Sequence, residues 1–300
     1  MVLRLLSCCA FLAVAGAAHA QLVPADRFSV TGALGEVAIS NLAGTLASDQ
    51  DSLLATASAG GNFASVNHAD GLLRGRATIS DAFADSLLSF ASYGVQFQNI
   101  SGRAALLDGD GDLTLDVSAA FARTLGAGMG MAGNTLAATF AAVVVDSLDQ
   151  VVYEGAGSIA YTATFESGDV EADIGFTPTL IGGFRLGPDD HGADALQVSI
   201  IAPELLLQPG DRLALAVNVT GTASGFSFDG SLGYSALTDF GNTARLRLTL
   251  PAGFGLQSDL PLNWVSTTAV PEPSVALLLA LGLAGLAWRV RRRGPMSGRA

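Results

Sequence analysis

The chain has 300 residues, enough for one large domain or two smaller ones. It contains 15 arginines, no lysine and 27 acidic residues, with a formal net charge of −12. The lack of lysine excludes a P-loop phosphate site and Schiff-base chemistry. Residues 21–270 hold 26 acidic residues against 9 arginines, a formal charge of −17. This excludes nucleic acid as a partner of that segment, because phosphate contacts need clustered cations.

The first twenty residues have the three parts of a secretory signal peptide. Arg4 supplies the positive charge, and Leu5–Ala15 is the apolar stretch. Ala18 and Ala20 form a small-x-small cleavage site before Gln21. We therefore predict that signal peptidase removes residues 1–20 and that the remainder is exported. Both cysteines lie in the first ten residues, so the mature chain is predicted to have no disulfide.

Residues 21–268 are predicted to form an exported, acidic, all-β domain, an antiparallel β-sandwich of jelly-roll type. Six segments alternate apolar and polar residues, so that each strand buries one face and exposes the other, as in antiparallel sheets. These segments are 93–97, 113–117, 161–165, 170–176, 213–219 and 246–250. Turn residues fill 108–112, 146–149, 167–169, 188–192 and 208–210. The stretch 42–70 has a weaker pattern and predicts an edge layer or irregular loops.

Asp108, Asp110 and Asp112, with Asp116 beyond them, place carboxylates at alternate positions, as at the start of a calcium-binding loop. An EF-hand loop would have glycine at its sixth position and glutamate at its twelfth, where this chain has leucine and alanine. Two interpretations stay open: a hairpin turn, or a weak calcium site on these four aspartates. Apart from this calcium, no cofactor is predicted.

Three other patterns resemble sites of chemistry. Residues 128–133 match G-x-G-x-x-G, but no βαβ unit surrounds them, which favours a flexible loop. His191 lies among three acids and would suit a metal or a general base, although the flanking proline and glycine favour a solvated loop. His68 is likewise predicted in a loop.

The sequence has no nucleophile elbow, no zinc-binding helix and no catalytic triad, so no enzyme is predicted. Carboxylates distant in the sequence can still pair to hydrolyse glycosides. Trp264 and the four tyrosines lie mostly in alternating segments and are expected in the core, which gives little support to a carbohydrate-stacking surface.

A short polar motif near the carboxyl end precedes an apolar run and a cluster of arginines. The motif is Val270, Pro271, Glu272, Pro273 and Ser274, and the stop-transfer cluster is Arg289, Arg291, Arg292 and Arg293. The predicted transmembrane helix, 275–290, is short for a ~30 Å hydrocarbon core, but snorkelling arginines make a marginal span feasible. The arginines should stay cytoplasmic with the tail 294–300, which places residues 21–270 outside the inner membrane.

This tripartite order resembles the PEP-CTERM sorting signal of Gram-negative bacteria over residues 269–293. The resemblance implies processing by exosortase, an integral-membrane cysteine transpeptidase-like enzyme, and delivery from the periplasm to the outer surface or extracellular matrix. Residues 239–246 are also similar to a closing strand of proteins with this tail.

The predicted function is a non-enzymatic surface or matrix protein associated with exopolysaccharide or biofilm and held in the inner membrane before processing. The alternative is a carbohydrate-binding module or polysaccharide-processing enzyme anchored to the envelope.

Overall fold

A computed structural model describes residues 26–267, apart from 42, 52–53, 83, 126–127, 168, 170 and 230–232. The described residues form eighteen strands and no helix. In chain order these are β1 (Asp26–Asn41), β2 (Gly44–Asp51), β3 (Leu54–Ala59), β4 (Asn62–Asn67), β5 (Leu72–Ala82), β6 (Ala84–Asn99), β7 (Ala105–Leu107), β8 (Leu113–Thr124), β9 (Gly130–Val145), β10 (Val151–Glu166), β11 (Asp173–Ile181), β12 (Arg185–His191), β13 (Ala195–Ile201), β14 (Leu205–Leu207), β15 (Arg212–Ser227), β16 (Tyr234–Leu250), β17 (Phe254–Gln257) and β18 (Val265–Thr267).

The strands form two large sheets and one small one. The first sheet has the order β11-β10-β9-β15-β6-β1-β17, with β2 also paired to β1. The second has the order β12-β13-β8-β16-β5-β4-β3, with β18 also paired to β16. Strands β7 and β14 form the small sheet. The β1–β17 and β16–β18 pairs are parallel, and the other described pairs are antiparallel. The predicted all-β antiparallel sandwich is therefore confirmed.

The centre of the molecule has the strand order of a jelly roll. Four neighbours in the first sheet, β6-β15-β9-β10, match four in the second, β5-β16-β8-β13. The chain crosses between the sheets from β5 to β6, from β8 to β9 and from β15 to β16. The two strands of each crossing occupy the same position in these two four-strand orders. This arrangement is the pair of Greek keys that defines a double-sheet jelly roll.

One hydrophobic core cluster contains buried residues of both sheets. Strand β15 illustrates how a strand contributes to this core, because buried and less buried residues alternate along most of its sixteen positions. Leu213, Leu215, Val217 and Val219 face the core, whereas the residues between them face outward. Burying an aliphatic side chain of this size contributes about 1.5–3 kcal/mol. The predicted strands at 93–97, 113–117, 161–165 and 246–250 also lie within observed strands.

The segment predicted as a strand at 170–176 is corrected in two respects. The strand β11 begins at Asp173 and extends to Ile181, and Val170 lies outside the described residues. Neither of its faces is buried, and Ile174 is 38% exposed. The reason is position: β11 is the edge strand of its sheet, so it packs on β10 from one side only.

Two predicted loops are also wrong. Residues 188–191 continue strand β12, where His191 is opposite Leu196 of β13, and the bend follows at 193–194. Pro188 is tolerated because β12 is an edge strand and its outer side needs no ladder hydrogen bond. The glycine-rich segment 128–133 enters strand β9 at Gly130. In contrast, the stretch 42–70 contains the edge strands β2 and β3, which confirms the expected edge layer.

No helix in the described part of the chain is long and apolar enough to cross a membrane. The predicted signal peptide (1–20), the sorting motif (270–274), the predicted helix 275–290 and the arginine cluster all lie outside the described residues.

Candidate functional site

The aspartate-rich turn at 108–112 connects β7 to β8, and its carboxylates bind its own backbone. Asp108 Oδ1 accepts a hydrogen bond from the Asp110 N–H at 3.0 Å. Asp112 Oδ2 accepts one from the Asp108 N–H at 2.8 Å. Asp110 also pairs with Arg185 across 3.2 Å at the surface. These contacts are those of a self-capped turn, which is the first of the two interpretations left open by the sequence.

Asp116 lies farther along β8 and has different partners. Its Oδ1 accepts a hydrogen bond from Ser199 Oγ at 2.7 Å, and its Oδ2 pairs with Arg247 at 2.5 Å. Among the residues that the structure describes, no three His, Cys, Asp or Glu side chains are grouped so that they could hold a metal ion. The calcium site on the four aspartates stays a prediction.

His191 joins the edges of the two large sheets. Its ring stacks on Phe176 of β11, with centroids 4.5 Å apart and an interplanar angle of 18°. Its Nδ1 is 3.4 Å from Asp189 Oδ2 on the same strand. Because β11 and β12 are edge strands of opposite sheets, this stack closes one side of the sandwich.

His68 lies in the turn between β4 and β5, as predicted, but its ring is buried and 1% exposed. The ring meets the edge of Tyr93 at a centroid distance of 4.7 Å. Neither ring nitrogen has a hydrogen-bond partner within the described residues. Burial lowers the pKa of the His68 imidazole from its usual 6.5, and the nearby backbone and carboxylate of Asp51 oppose part of this shift.

We expect His68 to make stability depend on pH. Below about pH 6.5 the unfolded chain takes up a proton on this ring, whereas the folded chain does so only at a lower pH. The free energy of unfolding should therefore decrease as the pH falls below this value. Melting temperatures measured between pH 8 and pH 5 test this, and His68→Asn should flatten the profile. His191→Asn is the exposed control and should retain it; a profile unchanged by His68→Asn would contradict the assignment.

The large aromatic side chains belong mainly to the core. Trp264, Tyr93, Tyr161 and Tyr234 are all buried, as the alternating sequence pattern predicts. They therefore cannot form an exposed platform for stacking on sugar rings.

A cavity of about 380 Å³ lies between the two sheets, beside the bend that joins β12 to β13. Phe165 of β10 and Ile174 of β11 contribute its apolar side, and Ala193 and Asp194 belong to the bend. Arg123, near the end of β8, also lines it. The sequence did not indicate this cavity, because its residues come from four separate segments and carry no shared motif.

Arg123 is fixed in this cavity by a chain of hydrogen bonds. Its side chain is only 6% exposed, and its Nη1 donates to Asn134 Oδ1 at 3.1 Å. Its Nη2 donates to the Ala193 carbonyl at 2.5 Å and to Asp194 Oδ1 at 3.1 Å. Asn134 is itself held by the Leu237 carbonyl at 2.8 Å. The guanidinium is therefore preorganised by residues of both sheets.

Solved structures give only distant likenesses. A CocE/NonD family hydrolase from Staphylococcus aureus is 6% identical with a TM-score of 0.19, and the match covers 55% of this chain and 36% of that one. The infectious bursal disease virus Gt strain structure is 12% identical with a TM-score of 0.12, over 89% of this chain and 76% of that one. This chain thus spans about a third of the hydrolase. Such low scores support no statement about activity.

The carboxyl-terminal segment gives a definite match. No curated protein matches the chain. The family model of the PEP-CTERM protein-sorting motif matches residues 269–293, the range expected from the Pro-Glu-Pro sequence, the apolar run and the arginine cluster. The chain thus carries a PEP-CTERM protein-sorting motif, which implies export and exosortase processing toward the cell surface, and an all-β sandwich precedes the motif.

Proposed function

We propose that this chain is a non-enzymatic protein of the outer surface or extracellular matrix that associates with exopolysaccharide or biofilm polymer. The sorting motif at 269–293 is the observation that carries this proposal. The charge of the body supports it, because an acidic surface favours solubility and repels anionic polymers that lack a bridging cation. The polymer partner is therefore neutral or bridged by divalent cations.

The proposed sequence of events follows from the order of the segments. Signal peptidase cuts after Ala20 and leaves the body in the periplasm. The apolar run 275–290 then holds the chain in the inner membrane, with the arginine cluster on the cytoplasmic side. Exosortase acts near Pro271–Pro273 and releases the body for delivery to the surface.

The cavity favours the carbohydrate-binding alternative in a specific way. Glu171 and Asp194, two carboxylates far apart in the sequence, line the same cavity. Carboxylates bind sugar hydroxyls, and a suitably spaced pair would also be needed for glycoside hydrolysis. A carbohydrate-binding role of the body is compatible with sorting to the matrix.

Replacing Pro271 or Glu272 by alanine tests the sorting step. We expect the full-length chain to accumulate uncleaved in the membrane fraction, because the enzyme loses the residues that identify its substrate. Immunoblots of membrane, surface and medium fractions measure this, in cells with and without exosortase. Pro261→Ala, an exposed proline outside the motif, is the matched control and should be processed normally. Normal release of the Pro271 and Glu272 variants would overturn the proposal.

A further inference from the structure

We propose that the cavity lined by Arg123, Phe165, Glu171, Ile174 and Asp194 binds a neutral saccharide. This deepens the proposed function by naming the ligand class of the body, and it rests on the proposed association with exopolysaccharide. The site would give the exported domain a specific contact with a matrix polymer.

The size and walls of the cavity suit a sugar ring. Its volume of about 380 Å³ falls within the range of small-molecule sites, roughly 300–1,000 Å³. Phe165 and Ile174 line it with apolar surface, against which the C–H face of a sugar can pack. Polar groups that fix the orientation of a ligand come from Arg123, Glu171 and Asp194.

These polar groups supply both donors and acceptors. The guanidinium of Arg123 has five N–H groups, of which three donate to Asn134, Ala193 and Asp194. The Tyr161 hydroxyl lies beside the guanidinium of Arg123. Burial raises the pKa of Tyr161, and the positive charge of Arg123 opposes part of this rise. At least one N–H group is then left for a ligand oxygen. The carboxylates of Glu171 and Asp194 accept hydrogen bonds, so a hydroxyl group can be bound in either sense.

The charges of the cavity disfavour an anionic ligand. Two carboxylates face one guanidinium, which leaves a formal charge of −1 among the lining residues. An anionic sugar would be repelled by this excess and by the acidic body as a whole.

The site is also preorganised, which reduces the entropic cost of binding. Tyr161 donates to the Gly192 carbonyl at 2.7 Å and its ring stacks on Phe121 at 4.5 Å. This contact anchors the bend that carries Asp194. The bend and Arg123 therefore hold their positions before a ligand arrives.

Binding of maltotriose and cellotriose to the full-length chain, measured by titration calorimetry in a detergent without a sugar head group, tests the proposal. We expect one neutral trisaccharide to bind and the anionic trigalacturonate not to bind. Glu171→Gln should weaken binding about tenfold, since it replaces a hydrogen bond to a charged group by a weaker bond to a neutral amide. Glu166→Gln, an exposed carboxylate that does not line the cavity, is the matched control and should bind as the parent does. Ala172→Trp should fill the cavity and abolish binding without touching the hydrogen bonds of Arg123.

The outcomes separate this site from the sorting function. Pro271→Ala should bind trisaccharide normally even though it is not processed. If neither neutral trisaccharide binds, or if binding persists in a folded Ala172→Trp variant, the site is overturned and the sorting proposal still stands. Cleavage of the trisaccharide that Glu171→Gln abolishes would support the site and overturn the non-enzymatic part of the proposed function.

Discussion

Phe240→Ala is expected to lower the free energy of unfolding by about 3–5 kcal/mol, the usual cost of truncating a buried phenylalanine. For a domain of this size, such a loss lowers the melting temperature by roughly 10 °C. The ring is fully buried and lies between the sheets: a Cβ atom on Gly75 of β5 would lie 2.3 Å from it, and one on Gly221 of β15 would lie 2.7 Å from it. Because β5 and β15 belong to opposite sheets, this ring contacts both.

The segment 239–246, which resembles a closing strand, explains how the ring reaches this place. It lies in β16, whose register against β5 and β8 shifts after Asp239. Asp239 Oδ1 accepts a hydrogen bond from the Gly241 N–H at 2.7 Å and stabilises the irregularity. A bulge of this kind redirects a side chain, here Phe240. The segment 239–246 therefore belongs to a central strand of the second sheet.

Thermal unfolding of matched variants measures the effect. Phe228 is 61% exposed, so Phe228→Ala should change the free energy of unfolding by no more than about 0.5 kcal/mol. Gly221→Ala should cost about 1–3 kcal/mol by overpacking against the ring, and much less when Phe240 is already alanine. Equal costs of Gly221→Ala in both backgrounds would show that the two residues do not compete for the same space.

Trp264→Ala is expected to cost a similar amount, about 3–5 kcal/mol. The indole is 6% exposed and its Nε1–H donates to the His68 carbonyl at 3.0 Å. Its ring meets the edges of Tyr93 and Phe97, at centroid distances of 6.1 and 5.8 Å. The substitution therefore removes a large apolar group and the shorter of two hydrogen bonds to the His68 carbonyl, which keeps the one from the Gly71 N–H at 3.4 Å.

The loss should also release the short strand that follows. Strand β18 comes directly after Trp264 and pairs with β16 at only three positions. We expect Trp264→Ala to speed amide hydrogen exchange at 265–267, because a short strand without its anchor opens locally. Trp264→Phe is the control: it keeps a ring and should cost only about 1–3 kcal/mol for the hydrogen bond that the His68 carbonyl loses. Unchanged exchange in Trp264→Ala would argue against anchoring by the indole.

Linear features of the chain were determined by the sequence alone. The sorting motif at 269–293 is a continuous run of residues, so its type and place could be predicted without a fold. The strands with strict alternation were predicted for a physical reason: a period of two can bury only one face of an extended chain. Strand β15 belongs to this class.

Only the tertiary structure decided which alternating segments are buried and which side chains meet. Residues 173–176 alternate as β15 does, yet none of them is fully buried: Ile174 is exposed and Phe176 only partly buried, on an edge strand that pairs with β10 alone. His68 is in a turn, where the sequence suggests exposure, but Tyr93 covers its ring. The cavity around Arg123 combines residues of both sheets that lie up to 71 positions apart. Burial and proximity depend on the neighbours that folding supplies, and no local pattern of residues records them.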